Sequence, residues 1–451
     1  MASATGVFER RRLENLKLAN ESITRCLTRQ FVHGYIPGHV WYNLNEYPTD
    51  RFIEPNEADE KLLAEYAANG VGLIKVHEEW NDAIEVYGAD KFSAYDPDGW
   101  TKFTRLVRRQ RLKIIPYVSS GYLDQRSKHF NYEWVATPNR LEEMYWKYAY
   151  LSPRSPGWRS FFLEQLDQIL THDGVDGIYN DMGFYPYAET REPPRDEHVD
   201  AFADDMDWCG ALEDFLGEIY AVVNRHRGLV INHFGGSDRP PCRQKFYDYL
   251  CLGEGVKGLK EMRDKAKEWE PYSLVIADWT RLPVGEETML YASCIPYLMF
   301  PILCGGRPMT GERALNPKVP CLDDHWFRHC KRIAELRKLG VPPTYGWWDA
   351  APGRTSIKPR WYHYLKLYRR MTQDATHAFL EIAEAAFFGG KLPADVVCSA
   401  FVNEDFYLAF ANFGATPAKL MLSFDVEDLE SGGKAKLVEL APQSLKLARK
   451  T

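Results

Sequence analysis

SPGWRSFFLEQLDQILTHDGVDGIYNDMG, residues 155–183, is a helix, a turn and a strand in that order. Pro156 stands at the start, where a helix leaves its first N–H groups unbonded and loses nothing by lacking one. Apolar residues then recur with the helical period until the turn at Asp173-Gly174. The strand that follows, VDGIYNDM, is mostly apolar and reaches an acid, Asp181, at its end. The same alternation continues on both sides. FVHGYIPGHVWYNL, VGLIKVHEEW and LKIIPYVSSGYLD read as strands before it, with helical EADEKLLAEYAANG and DGWTKFTRLVRRQR between them. After it come the helix MDWCGALEDFLGEIYAVVNRHRG and four more strand-like runs, LVINHFGG, KFYDYLCLGEG, YSLVIADW and YASCIPYLMFPILCGG. Strands that are apolar throughout, not cleanly alternating, belong to parallel sheets covered on both faces. Eight of them, mostly separated by helices, predict an α/β fold, a (β/α)8 TIM barrel. An open doubly wound sheet would carry a Gly-rich phosphate turn after its first strand, and the sequence has none there.

Beyond about residue 375 the pattern changes. VVCSAFVNEDFYLAFANFGATPAKLMLSF holds two β-rich runs around Asn403-Glu404-Asp405 and a third after Gly414. It predicts a small C-terminal antiparallel β-sandwich. The expected domains are a helical extension at 1–28, the barrel at 29–375 and the sandwich at 376–451.

Composition narrows the partners. Among 451 residues the formal net charge is −7, so no basic face is available for nucleic acid or an anionic membrane surface. Nine cysteines are scattered without a C-x-x-C pair, which argues against zinc and for small buried thiols in a reducing compartment. No apolar leader region stands near Met1, and the longest apolar stretch, 295–304, contains two prolines and is too short for a bilayer. The expected compartment is the cytoplasm, or secretion if a leader precedes this sequence. Aromatic residues make up 14%, enough either for a large core or for a site that stacks flat ligands.

In a barrel the C-terminal ends of the strands carry the chemistry. Polar residues cluster there: His33, His39 and Trp41 on the first; His77, Glu78, Glu79, Trp80 and Asp82 on the second; Tyr117, Ser119, Ser120, Tyr122 and Asp124 on the third. Asn180 and Asp181 follow on the fourth, Asn232 and His233 on the fifth, Asp248 and Glu254 on the sixth, Asp278 and Trp279 on the seventh. Each has a purely structural alternative: His77 as a satisfied core histidine, Asp176 as a brace before the fourth strand, Asp248 as a partner of Arg243 or Lys245. Asp181 and Glu254 resist it best, since each ends an apolar run and has a glycine within two residues, which lets a ligand approach the backbone. Two acids across a barrel mouth suit glycoside hydrolysis: one attacks or stabilises the anomeric carbon, the other protonates the leaving oxygen.

Those residues carry a resemblance. Gly174, Asp176, Gly177 and Asp181 form a G-x-D-G-x-x-x-D run that resembles the α-galactosidase/α-glucosidase superfamily of barrel glycosidases, and LKIIPYVSSGYLD resembles that superfamily's preceding strand. The resemblance covers roughly residues 71–278. It implies Asp181 as the nucleophile and an acid/base after the sixth strand, where Glu254 falls, with Asp248 the fallback. It also implies a β-domain after the barrel. The chain departs from it in having only a short charged segment before the barrel and Glu, not Asp, as the best acid/base. His77, Glu78, Asp124, Asn180, His233 and Asp278 are expected to orient a glycoside or oligosaccharide, with Trp41, Trp80 and Trp279 lining the site. No cofactor and no metal are required.

Three alternatives stay open. A glycosidase of the other large barrel clan would use Asp181 as acid/base and Asp278 as nucleophile. A non-catalytic barrel would bind carbohydrate without cleaving it. A metal-dependent hydrolase is disfavoured because His33 and His39 stand six apart, the wrong spacing for the paired ligand motif.

Overall fold

The computed structural model describes residues 4–32, 34–44, 54–77, 80–81, 92–137, 148–182, 208–233, 242–252, 261, 274–275, 287–306 and 357–451. Its larger sheet is parallel. In chain order the strands are β1 His39–Asn43, β2 Leu73–Val76, β3 Lys113–Val118, β4 Gly177–Asp181, β5 Leu229–His233, β6 Tyr249–Leu252, β7 Leu274–Val275, β8 Phe300–Pro301 and β9 Leu303–Gly306. Each of β2 to β8 lies beside its predecessor. Only Ile302 separates β8 from β9, yet β8 pairs with β7 at one end of the strand order and β9 pairs with β1 at the other. Residues 300–306 thus touch both ends of the curled sheet.

Helices alternate with the strands: α1 Ala4–Ser22, α2 Glu57–Ala68, α3 Pro97–Arg109, α4 Pro156–His172, α5 Trp208–Arg225, α6 Glu287–Cys294 and α7 Ile357–Met371. Local chemistry sets their starts. Asn56 and Asp59 form a reciprocal capping box on α2, and Asp96 and Ser155 accept from Gly99 N and Trp158 N at the heads of α3 and α4. α4 buries Trp158, Phe162, Leu166, Ile169 and Leu170 on one stripe, each worth about 1.5–3 kcal/mol of burial. The run YASC, expected in the eighth strand, is the second half of α6.

Two aspartates brace strand starts in the same way. Asp176 Oδ2 accepts from Ile114 N at 3.0 Å, and Asp248 Oδ2 accepts from Val230 N at 2.8 Å. Each therefore ties the entry of one strand to its neighbour, at the end of the sheet away from Asp181. Burial pushes the Asp248 carboxyl above its ordinary range. A raised carboxyl at that end cannot serve a reaction at the other, which removes Asp248 as fallback acid/base. His39 is corrected likewise: it starts β1 instead of ending it, is fully buried, and bonds Ile36 O through Nε2 at 2.7 Å. Burial holds its imidazole neutral, with the pKa lowered to about 3. Because the unfolded chain takes up that proton below the ordinary 6.5, stability falls as pH drops from 6.5 towards 3. The wild-type urea midpoint is expected to drop more than that of His39→Gln between pH 6.5 and 4; parallel curves would count against this assignment.

The tail is a seven-stranded antiparallel sheet, with β10 Thr376–Leu380, β11 Val396–Val402, β12 Phe406–Asn412, β13 Ala418–Asp428, β14 Lys434–Leu440 and β15 Ser444–Lys450. Its seventh member, Thr28–Val32, comes from the other end of the chain and pairs with β10. Phe31 and Val32 thus belong here and not to the first barrel strand. A separate two-stranded antiparallel sheet, Ile23–Arg25 with Glu384–Ala385, lies in the same part of the chain. All seven residues of β12 are buried because both faces are covered. Phe401, Tyr407, Ala409 and Ala411 join the core of the parallel sheet, while Ala400, Val402, Leu408 and Phe410 join a second cluster with Ala19 of α1, Ile23 and Phe387.

Candidate active site

Register decides which side chains share the inner face. Pairing aligns Trp41 with Lys75, Lys75 with Ile115, Tyr117 with Tyr179 and Asp181 with His233. Since strand side chains alternate, Trp41, Lys75, Tyr117, Tyr179, Asp181 and His233 lie on one face. Ring contacts bear this out: His77 stacks on Trp41 at 4.4 Å between centroids and sits 4.7 Å from Tyr117, and Tyr117 stacks on Tyr179 at 5.6 Å.

Asp181 ends β4 with its side chain 18% exposed, a carboxylate at the rim of an otherwise buried sheet. Its Oδ2 accepts from Tyr117 Oη at 2.7 Å, Tyr122 Oη stands 3.4 Å from the same oxygen, and Oδ1 lies 3.5 Å from His233 Nδ1. The backbone around it is fixed as well. Ser119 Oγ donates to Asp181 O at 2.7 Å, and Met182 N donates to His233 O at 2.9 Å. Gly121 has to be glycine there, because a Cβ would stand 1.8 Å from the Met182 carbonyl oxygen.

Lys75 enters from β2. It is buried, with its ammonium 3.3 Å above the Trp41 ring and 3.5 Å above the Tyr179 ring. The Lys75 nitrogen thus sits between two aromatic faces on the face that carries Asp181. Neither Lys75 nor Tyr179 was among the expected site residues. The signal for Lys75 is a charged residue inside the apolar run LIKV.

Of the expected residues, the structure brings together Asp181, His233, His77 and Trp41. Three others have their polar groups engaged by other partners. Asn180 points to the opposite face, where Oδ1 accepts from Ser120 N at 3.0 Å and Nδ2 donates to Asn232 Oδ1 at 3.3 Å. Asp124 is held by Arg126, Nε and one terminal nitrogen each at 2.7 Å. Trp80 is fully buried against Trp100, 5.1 Å between centroids, and its indole N–H donates to Tyr117 O at 2.7 Å. With Trp158 Nε1 donating to Ser120 O at 3.0 Å, it pins the end of β3 beneath the site. Glu254, Glu78, Asp278 and Trp279 lie outside the described residues, as do His33, Glu79 and Asp82. Among the described residues no group of three or more His, Cys, Asp or Glu is placed to hold a metal ion, and no helix is long and apolar enough to cross a membrane.

The fold, a parallel curled sheet followed along the chain by an antiparallel one, is similar to that of solved glycoside hydrolases and of a glucosyl transfer enzyme. An α-glucosyl transfer enzyme, XgtA, superposes with TM-score 0.58 at 11% identity, over 95% of this chain and all (100%) of its own. The GH36 α-galactosidase AgaA of Geobacillus stearothermophilus, in a variant complexed with raffinose, matches with TM-score 0.55 at 13% identity, over 93% of this chain and 55% of its own. A maltogenic α-amylase of Thermotoga neapolitana, AmyB, matches with TM-score 0.53 at 10% identity, over 92% and 98%. The chain thus spans little more than half the length of the α-galactosidase. No family model matches the sequence, and no curated protein does.

Proposed function

We propose that the chain is a closed (β/α)8-barrel glycoside hydrolase that cleaves a glycosidic bond in an oligosaccharide or small glycoside. Closure is supported by residues 300–306, which pair with both ends of the parallel sheet. The observation that carries the function is the setting of Asp181: a partly exposed carboxylate at the C-terminal end of β4, gripped by a phenol at 2.7 Å, on the face that holds Lys75, His77 and His233. A nucleophile must be held still and must meet the substrate, and this acid is placed for both. Glu254 would be the general acid/base. The mechanism would retain configuration: Asp181 takes the sugar, and water then releases it. His77 and His233 would contact hydroxyls. α-Glycosides are the first substrates to try, because the similar structures include an α-galactosidase bound to raffinose and one bound to stachyose.

A panel of aryl α- and β-glycosides tests this reading. Turnover of at least one, with the first-formed sugar of the same anomeric configuration by NMR, is the expected outcome. Sugar binding without cleavage of any panel member would support the non-catalytic alternative. A second reading, glycosyl transfer, has one point in its favour: XgtA matches along its whole length. An added acceptor sugar that diverts product from hydrolysis would establish it.

A further inference from the structure

Tyr122 does not belong to the parallel sheet. It opens a three-stranded antiparallel excursion, Tyr122–Asp124, Val135–Thr137 and Tyr148–Leu151, inserted between β3 and α4. Tyr117 stands near the end of β3. Both rings are buried, yet their hydroxyls meet at one carboxylate oxygen: Tyr117 Oη is 2.7 Å and Tyr122 Oη 3.4 Å from Asp181 Oδ2, and the two hydroxyls bond each other. A phenol has one proton to give. Tyr117 spends its proton on Asp181, so Tyr122 is the donor between the phenols. The result is a chain from Tyr122 O–H to Tyr117 O–H to Asp181 Oδ2, in which the first bond strengthens the second by polarising it.

We infer that Tyr117, backed by Tyr122, is a positioning residue that holds Oδ2 and thereby promotes release of the sugar from Asp181. This rests on the proposed reading of Asp181 as nucleophile. In the first step Asp181 Oδ1 would bond the anomeric carbon as the glycosidic C–O bond breaks and the leaving oxygen takes a proton from the general acid. Oδ2 then becomes an ester carbonyl, a poorer acceptor. In the second step a water oxygen bonds the anomeric carbon, its proton passes to the general base, and the C–Oδ1 electron pair returns to the carboxylate. Donors on Oδ2 favour the carboxylate over the ester, because hydrogen bonds to a charged group are the stronger ones. They therefore assist the second step and not the first. The excursion takes part through Tyr122, which reaches Asp181 mainly by way of Tyr117.

Tyr117→Phe is expected to lower kcat about ten- to a hundredfold on an aryl glycoside with a good leaving group. KM should fall with it, leaving kcat/KM nearly unchanged, and a burst of phenolate should precede a slower steady state. Tyr122→Phe should act in the same direction by a smaller factor. The double variant should lose less than the product of the two single losses, since Tyr122 acts mainly through Tyr117. Equal loss of kcat and kcat/KM without a burst, additive losses in the double variant, or inversion at the anomeric carbon would each overturn the inference. A second measurement needs no substrate: the 13C carboxyl resonance of Asp181, assigned by its loss in Asp181→Asn, should titrate at higher pH in Tyr117→Phe than in the wild type. An unchanged midpoint overturns the inference even where turnover is seen. Absence of all turnover together with a shifted midpoint would instead count against the proposed function alone.

Discussion

Asp181→Asn is expected to lower kcat on the best aryl glycoside by about 10⁴-fold or more, the scale on which losing a member of a covalent catalytic unit is felt. Asparagine keeps the size and one oxygen acceptor, so the Tyr117 hydroxyl retains a partner and the thermal midpoint should move little. What disappears is the negative charge that attacks the anomeric carbon. The loss should fall on kcat and kcat/KM together, because the first chemical step fails. Glu254→Gln should separate from it by leaving group: a substrate whose aglycone departs without protonation should lose far less rate in this variant than one that needs it. A variant of Asp181 that kept more than about a tenth of wild-type kcat would leave the acid as a binding or structural group.

Gly177→Ala should be severely damaging for a single methyl. Gly177 opens β4 at φ +143°, a region that side-chain-bearing residues rarely enter. An added Cβ would lie 2.0 Å from the Leu229 carbonyl oxygen and 2.5 Å from its nitrogen, both main-chain atoms of the adjoining strand. Neither can turn away as a side-chain tip could. Relief requires moving β4 from β5, where Gly177 pairs with Leu229 and Asp181 with His233. Backbone strain of about 1–3 kcal/mol adds to overpacking of about the same size. The expected result is a thermal midpoint lower by 5 °C or more, or failure to accumulate as folded protein (about 2–4 °C per kcal/mol in a large domain). Ala at the helical Gly217, where the nearest atoms are 3.3 Å away on the Phe246 ring, should be tolerated far better. Equal midpoints for Gly177→Ala and the wild type would mean that β4 and β5 are not paired in this register.

The alternation of strand and helix was legible because each unit carries its own punctuation: Pro156 and Ser155 at a helix start, Gly174 at its end, an unbroken apolar run behind. Asp181 was legible for the same reason, as a charge where such a run stops. What depends on register was not. In strands buried on both faces, no alternation tells Tyr179 from Ile178, so Lys75 and Tyr179 went unread and Asn180 was placed beside its neighbour when it faces the other way. Strand boundaries displaced by a few residues moved His39 and Asp248 from the floor to the rim. The separation of Phe31 and Val32 from the first strand has no local signal, because their partner, Thr376–Leu380, lies near the far end of the chain. Trp80 illustrates a different limit. An indole at a strand end looks like a sugar platform until its N–H is found on a carbonyl and its ring against Trp100.

The most direct measurement is mass spectrometry of the protein after reaction with an activated 2-deoxy-2-fluoro glycoside of the sugar it cleaves best. Such a compound slows release more than attack and so traps the covalent intermediate. A one-to-one adduct on the peptide containing Asp181, absent in Asp181→Asn, is the result expected. An adduct on Asp278 or any other residue, or hydrolysis that inverts the anomeric carbon with no adduct at all, would contradict the assignment.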